Sequence, residues 1–309
     1  MKKITLNEIL KSRVFKVITA VFIIAYVIFV LTPFGQDFFK SSFTFLNLDD
    51  NKRYSDYFDF SIEFFEAGKT DIALLKADEK LILIDTSDKA YSESLAFKFE
   101  TDGVTTIEAI FISHYDSDHI GGLIDILSNY EVKKVYLSCY YDPDGYYPKL
   151  VHKYLDENKI NYEYLKAGDK ISIGFIDFEI LAPVTKHKES NNNSLVFTLE
   201  AGKFSALFTG DMELKELEDV LENSKTYDCD LIKASHHGSI NGISEELLEK
   251  FNPEYAVITV GRNSSGLPNS ATLKLLSEKG IEILRTDKNG DIVICSNIDD
   301  ENIYYKTEK

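Results

Sequence analysis

Apolar residues from Phe58 onward fall into short runs of period two, separated by polar turns and by stretches with helical spacing. The pattern predicts strands at 60–65, 72–76 and 81–84, a helix over 91–99, a strand at 107–112 and a helix over 119–127. A strand at 132–137, a helix over 148–157 and a pair of strands within 171–181, broken near Gly174, come next. The second half repeats the scheme. It has strands at 195–199 and 204–208, a helix over 214–221, a strand at 229–234, a helix over 244–251, a strand at 255–260, a helix over 270–279, and strands at 281–284 and 292–295. Strands and helices alternating in two halves make a mixed α/β domain.

The N-terminal part reads differently. Residues 17–31 are apolar apart from Thr19, and with their flanks to Phe34 they approach the roughly 20 residues needed to span a bilayer. Lys2, Lys3, Lys11, Arg13 and Lys16 precede this run against a single acid, Glu8, which puts the N-terminus in the cytoplasm and the remainder outside. A cleaved signal peptide and an interfacial helix are the rival readings; no Ala-x-Ala-like site follows Leu31, which favours an uncleaved anchor. The expected organisation is a tail and single transmembrane helix over 1–36, a juxtamembrane connector over 37–57, and a domain over 58–309. The expected location is therefore the cell membrane, single-pass, with the domain extracytoplasmic.

Charge narrows the partners. A formal charge of -17 repels a polyanion over most of the surface, so a dedicated nucleic-acid face is disfavoured, while a local cation-centred site is not. Three cysteines, Cys139, Cys229 and Cys295, are widely spaced and supply no disulfide framework. No Gly-x-x-x-x-Gly-Lys loop and no Gly-x-Ser-x-Gly elbow is present.

The chemical signal lies in Ser113 to Gly122, Ser-His-Tyr-Asp-Ser-Asp-His-Ile-Gly-Gly. His114, Asp116, Asp118 and His119 fall within six residues, directly after the apolar strand at 107–112. So many ionisable groups packed together repel and desolvate one another unless a cation holds them. Placed at a strand end and leading into a helix start, they have the rigid support a metal site needs.

This segment resembles the metal-binding signature of the metallo-β-lactamase superfamily, His-x-His-x-Asp-His, with Asp116 at the second histidine. The resemblance continues through Phe208-Thr-Gly-Asp211, Ser235-His-His-Gly-Ser239, Val260-Gly-Arg-Asn263 and Arg285-Thr-Asp287. As a series, these motifs are similar to the soluble hydrolase domain of the ComEC type of DNA-uptake competence protein. The resemblance implies a four-layer αβ/βα sandwich and two divalent metal ions, zinc or manganese. It implies His114 and Asp116 on one ion, Asp118, His119 and His236 on the other, and Asp211 as the bridge. His237 then stands close by, touching substrate or stabilising the loop, and Asp85 is the acid that orients a ligand from behind. Asp118, Asp211 and His237 are the candidate catalytic residues.

Three places depart from the family pattern. Residues 187–194 read His-Lys-Glu-Ser-Asn-Asn-Asn-Ser, where His187 reads equally as a ligand and as a solvated loop histidine. Leu267 stands in Gly-Leu-Pro where the competence family typically has Gly-His-Pro, and Gly68-Lys-Thr-Asp71 replaces Gly-Gln-Gly-Asp. Three carboxylates against two divalent ions leave about one positive charge, enough to hold a hydroxide and polarise a P=O or C=O bond. The expected function is a membrane-anchored metal-dependent hydrolase, foremost a phosphodiesterase or nuclease acting on single-stranded DNA or a small phosphoester. Hydrolysis of a small or wall-linked ester or lactone, and a binding module on a degenerate fold, are the alternatives.

Overall fold

In β1 (Phe60–Phe64) the side chains of Phe60, Ile62 and Phe64 join one apolar cluster, and in β2 (Ala73–Ala77) Ala73, Leu75 and Ala77 join the same one while Leu74 faces the other way. That alternation recurs in β3 (Lys80–Ile84) and β5 (Ala109–Ile112), where Ile82, Ile84, Ala109 and Phe111 point inward and Leu83, Ile110 and Ile112 point back. Both faces of these strands are apolar, so each sheet must be covered twice. The chain meets this demand with two sheets packed face to face and helices on both outer sides. Cluster after cluster, the buried residues sort into an inter-sheet core and two sheet–helix cores.

The computed structural model describes Phe29, Thr32 and residues 53–309. Except for Phe29, the apolar run expected to be a membrane anchor lies outside the described residues, as does most of the connector. Among the described residues no helix is long and apolar enough to cross a membrane. The chain divides into two units, Met1–Tyr57 and Phe58–Lys309. In the first, a 3-10 turn covers Tyr54–Tyr57.

In the second unit, the first sheet combines β1, β2, β3 and β5 with β7 (Val135–Ser138), β8 (Tyr162–Leu165), β16 (Ile292–Ser296) and β17 (Tyr304–Thr307), in the order β17-β16-β1-β2-β3-β5-β7-β8. The second runs β15-β14-β13-β12-β11-β10-β9, from β9 (Lys170–Ile173), β10 (Ile176–Ala182), β11 (Val196–Ala201), β12 (Phe204–Phe208), β13 (Leu231–Lys233), β14 (Tyr255–Ile258) and β15 (Glu282–Arg285). Strands β3, β5, β7 and β8 are mutually parallel, and so are β12, β13, β14 and β15. Parallel strands send all their C-terminal ends to one edge, the usual place for a site in α/β sheets. The motifs at 113–122, 208–211, 235–239, 260–263 and 285–287 each follow such an end, whereas 68–71 and 187–194 follow the antiparallel strands β1 and β10.

The elements differ from expectation where alternation is weak or the chain turns to serve the site. The strand expected at 107–112 is split, because β4 (Thr106–Ile107) pairs with β6 (Glu131–Val132) in a separate two-stranded ladder and Glu108 donates to the Leu81 carbonyl. The expected helix at 119–127 is two pieces, Ser117–Ile120 and Leu123–Asn129. Between them a Cβ on Gly122 would stand 2.3 Å from the Thr86 carbonyl oxygen, so the backbones meet too closely for any side chain. Edge strands β8 and β17 bury little, Tyr304 and Tyr305 being exposed, and carry no readable alternation.

Phe111 is the pivot of the inter-sheet core. Its ring, fully buried on β5, lies 4.6 Å from Tyr136 and reaches across to Phe178 on β10 at 4.7 Å and Phe197 on β11 at 5.7 Å. Phe111→Ala is expected to cost about 3–5 kcal/mol in urea unfolding, through lost contact and a cavity shared by both sheets. A loss under about 1 kcal/mol would show that the two sheets do not depend on this ring.

Candidate metal centre

The turn after β5 carries His114, Asp116, Asp118 and His119, the turn after β3 carries Asp85, the turn after β12 carries Asp211, and the 3-10 turn Ser235–Gly238 after β13 carries His236 and His237. Residues far apart in sequence thus meet because their strands end together. Ligand atoms of Asp118, His119, Asp211 and His237 all lie within 4.8 Å of one another. His119 Nε2 is 3.3 Å from Asp211 Oδ2, and His237 Nε2 is 3.7 Å from Asp118 Oδ2 and 3.8 Å from Asp211 Oδ2. The His114 ring lies 4.1 Å from the His119 ring, and His114 Nε2 is 3.7 Å from Asp116 Oδ2.

Each ring is fixed from behind. Asp85 accepts from the Ser113 amide at 2.7 Å, from Ser113 Oγ at 2.8 Å and from His119 Nδ1 at 2.8 Å, so the His119 proton sits on Nδ1 and its Nε2 lone pair faces the cluster. His237 Nδ1 donates to the Thr259 carbonyl at 2.8 Å, which fixes the same tautomer there because a carbonyl can only accept. Thr86 donates its amide and its hydroxyl to the His119 carbonyl, pinning the backbone. Asp85, His236 and His237 all hold positive φ, at 58°, 44° and 54°. Such conformations cost of order 1 kcal/mol or more each in non-glycine residues, and they cluster where a site demands a particular side-chain direction.

The donor set suits a cation. Among the described residues, His114 Nε2, His119 Nε2, Asp211 Oδ1 and His237 Nε2 are buried without a hydrogen-bond partner. One such atom costs about 1–3 kcal/mol, and three of them, on His119, Asp211 and His237, belong to the tight group, a donor set that could hold a metal ion. The field agrees. Burial alone would lower the His119 pKa, but Asp211 and Asp85 raise it well above its ordinary value. Burial would raise Asp211, yet the charges of His119 and His237 hold it well below the carboxylate range. Asp118 is likewise lowered against its burial, by His237, His119 and Lys69. A potential that favours a proton on imidazole favours a divalent ion at the same point, and the two compete.

The two adjacent histidines take places other than those expected. His237, expected beside substrate, stands inside the tight group, whereas His236, expected as a ligand there, lies outside it. His236 Nδ1 pairs with Glu213 Oε1 at 2.9 Å, and its Nε2 is 3.8 Å from Asp211 Oδ2. Both residues lie beyond the end of β13, in a turn where each holds positive φ, so strand alternation does not govern their directions. Asp85 stands behind His119, 2.8 Å from its Nδ1. His187 faces away from the cluster and pairs with Asp219 at 2.8 Å. Leu267 packs against the outer core of the second sheet, its backbone held by Asn263.

Several supporting residues carried no assigned role in the sequence, though Lys69, Asp71 and the Asn-rich stretch stood in motifs noted there. Lys69 Nζ reaches Asp118 Oδ2 at 2.9 Å. Lys233 Nζ lies buried 2.7 Å from Asp71 Oδ2, whose other oxygen accepts from Thr259 Oγ1. A lysine inside the apolar run Leu231-Ile-Lys-Ala234 is a visible signal of a buried partner. The Asn-rich stretch forms a 3-10 turn, Ser190–Asn193, tied to Glu216. Glu216 Oε2 accepts from the Ser194 amide at 3.1 Å, its own amide donates to Asn192 Oδ1, and Ser194 Oγ in turn accepts from the Asp211 amide at 3.2 Å. Glu216 shares the inward face of helix Leu214–Asn223 with Leu217 and Val220, so its burial was legible as an acid on an apolar stripe.

The comparisons with known proteins agree with this geometry. The family model described as "Metallo-beta-lactamase superfamily" matches residues 66–262. ComE operon protein 3 of Bacillus subtilis (strain 168) is 31% identical over 192 residues, which cover 62% of this chain and 25% of that protein. Competence protein ComA of Neisseria gonorrhoeae is 27% identical over 236 residues, 74% of this chain and 31% of that protein. The matches thus span only a quarter to a third of these curated relatives' length. Among solved structures, the metallo-beta-lactamase fold protein YhfI from Bacillus subtilis superposes with a TM-score of 0.50 at 12% identity, covering 80% of this chain and 99% of that one, a likeness of fold.

Burial pushes the Glu216 carboxyl well above its ordinary 4.5, against the opposing pull of the Ser194 amide. Between the ordinary and the raised value the unfolded chain has released this proton while the folded one keeps it, so stability falls as pH rises through that window. Glu216→Gln cannot titrate. Its melting temperature relative to the parent is expected to climb from about pH 5 to about pH 8, each tenfold change in the acid constant being worth about 1.4 kcal/mol. A pH-independent difference between the two proteins would contradict a neutral, buried Glu216.

Proposed function

Since the chain belongs to the metallo-β-lactamase superfamily, we propose that it is a membrane-anchored, metal-dependent hydrolase of phosphodiester bonds related to the ComEC-type competence proteins. The four buried, unpartnered ligand atoms carry this reading. We assign Asp118, His119 and His237 to one divalent ion, His114, Asp116 and His236 to a second, and Asp211 to both, with zinc or manganese as the metals. His236 suits the second set because its Nδ1 is engaged by Glu213, leaving Nε2 on the Asp211 side. Three carboxylates and four imidazoles make a mixed hard and borderline donor set in which geometry rather than affinity selects the ion.

Bound at these residues, divalent ions supply Lewis-acid activation of water and neutralise charge on a phosphoryl group. The chain's own part is positioning. Asp85 holds the His119 Nε2 lone pair toward the cluster, and Thr259 does the same for His237. Asp118, about a quarter exposed, is held by Lys69 at 2.9 Å through Oδ2 and would help hold the ion at the mouth of the site. Lys69 presents a cation at the mouth of the site, and burial would lower its pKa, but Asp118 and Asp211 raise it, so it stays protonated. An ammonium there suits an anionic phosphodiester better than a neutral lactone. The candidate substrate is single-stranded DNA or a small phosphodiester.

Metal analysis of the purified chain, followed by assays on single-stranded DNA, a small phosphodiester and a lactone, tests the reading. His237→Ala is expected to lose bound metal, to melt at a lower temperature because metal stabilises only the folded form, and to lose hydrolysis by about a hundredfold or more. Metal content and melting temperature equal to the parent would falsify the ligand assignment. Turnover of the lactone alone would favour the small-ester reading, and tight metal binding with no turnover a binding module.

The anchor rests on the basic residues before the apolar run 17–31. Added protease is expected to digest the 58–309 domain on intact cells. Protection until lysis would place that domain on the other side of the membrane.

A further inference from the structure

Beside the ligand cluster opens a cleft of about 650 Å³, lined by Tyr115, Tyr140, Tyr141, Tyr146 and Tyr147. Its volume is that of a nucleotide-sized ligand site. Asp116 and Asn193 stand in its wall, so the cleft is continuous with the metal-binding turn rather than remote from it. Tyr115 stands in the turn after β5, Tyr140 and Tyr141 in the loop after β7, and Tyr146 and Tyr147 in the first turn of helix Tyr146–Glu157, all at the strand-end edge that carries the cluster.

Only some of these rings serve the core. Tyr115 is buried and donates to the Ser138 carbonyl, and Tyr141 stacks on Tyr164 with ring centres 5.9 Å apart. Tyr147 is half-buried and packs one side on the same sheet–helix core, whereas Tyr140 is half-buried outside it and Tyr146 is 73% exposed, meeting Tyr147 edge-on at 5.1 Å. Large aromatic faces left open beside a hydrolytic centre call for a ligand with a flat apolar surface. Two ammonium groups line the same space. Lys186 Nζ donates to the Tyr141 carbonyl at 3.0 Å, fixing the loop, and Lys188 makes no ion pair among the described residues. Asp142 also lines the cleft, with one carboxylate oxygen taken by the Asp144 amide. A polynucleotide offers what this surface lacks, a planar base beside every phosphate, and unpaired bases stack on aromatic side chains whatever their sequence.

We propose that Tyr140, Tyr146 and Tyr147, with Lys186 and Lys188, form a subsite on which an unpaired nucleobase flanking the scissile phosphate stacks. This rests on the phosphodiesterase reading and deepens it. A duplex hides its base faces in the helix, so the subsite selects single-stranded substrate. Selectivity arises from ring contact near the cluster and does not require a basic surface, in keeping with an acidic protein.

The test uses the whole chain loaded with metal, in mild detergent, and measures binding by calorimetry. The probes are deoxythymidine 5′-monophosphate, deoxyribose 5-phosphate and inorganic phosphate. The base-bearing probe is expected to bind at least about fivefold more tightly than the base-free one. Tyr146→Ala, at an exposed position that does not threaten folding, should shrink that ratio, and Tyr146→Ala with Tyr147→Ala should abolish it. Inorganic phosphate affinity and metal content should not change, and Tyr146→Phe should keep the ratio. Equal binding of the two sugar phosphates, or a ratio that survives the double substitution, overturns the proposal; tighter binding of the base-free probe does so in favour of a carbohydrate subsite. Nucleotide binding that depends on the tyrosines in a protein without phosphodiesterase activity supports the subsite and sinks the activity. Equal cleavage of intact single strands and strands carrying abasic sites at the scissile position sinks the subsite alone.

Discussion

A set of imidazoles and carboxylates can face one point inside a protein only if something behind each of them fixes its orientation. Left to itself a buried imidazole turns its polar atoms toward whatever partner is near, and a buried carboxylate does the same. Here both rings of the tight group have a back-side partner, Asp85 for His119 and the Thr259 carbonyl for His237, while Lys69 holds Asp118 from the mouth and the Ser194 hydroxyl holds the Asp211 backbone through its amide. These partners are themselves secured. Asp85 is held by Ser113, and Thr259 by the Asp71–Lys233 pair that joins the two halves of the domain. The centre is the inner layer of a polar network whose outer layer lies in the walls of the sandwich.

That network explains why the sandwich needs two parallel sets of strands. Asp85 and His114 leave neighbouring strands β3 and β5, and Asp211 and His237 leave neighbouring strands β12 and β13. Parallel neighbours put successive turns about 5 Å apart at one edge, close enough for a single ligand set. Facing the two edges together brings residues 71 and 233, or 119 and 211, within contact distance. Phe111 and the rings around it hold that facing arrangement three residues before His114. Buried ion pairs such as Asp71–Lys233 add little net stability and serve to specify one arrangement, which is what a centre built from both halves requires.

Much of this was legible in the sequence, for physical reasons that differ by residue. Strands with both faces apolar and their order in two halves followed from periodicity, and the edge strands β8 and β17 did not, because they bury too little to leave a pattern. The gathering of His114, Asp116, Asp118 and His119 in one turn was legible from spacing alone, but that only Asp118 and His119 enter the tight group was not. Which of His236 and His237 enters the group was not. Two adjacent residues at positive φ have no periodicity to read, and their ring partners, Glu213 for His236 and the Thr259 carbonyl for His237, are distant in sequence. Glu216 and Lys233 were visible as charged residues on apolar faces, but their partners, 22 and 162 positions away, were not.

The acidity of the chain bears on how an anionic substrate would approach such a site. Exposed charges are screened over about 8 Å at physiological salt, so the net charge of the surface matters less at contact than the few charges lining the opening. Around the opening the acids are already committed: Asp118 to Lys69, Asp116 to His114, and Asp211 inside the cluster. Cations held by these acids turn the same residues from a repulsive patch into an attractive one, and the acidic remainder then disfavours prolonged nonspecific contact with a polyanion. An acidic surface around a cation-dependent centre therefore confines attraction to the place where the chemistry is done, and leaves recognition to short-range contacts such as ring stacking.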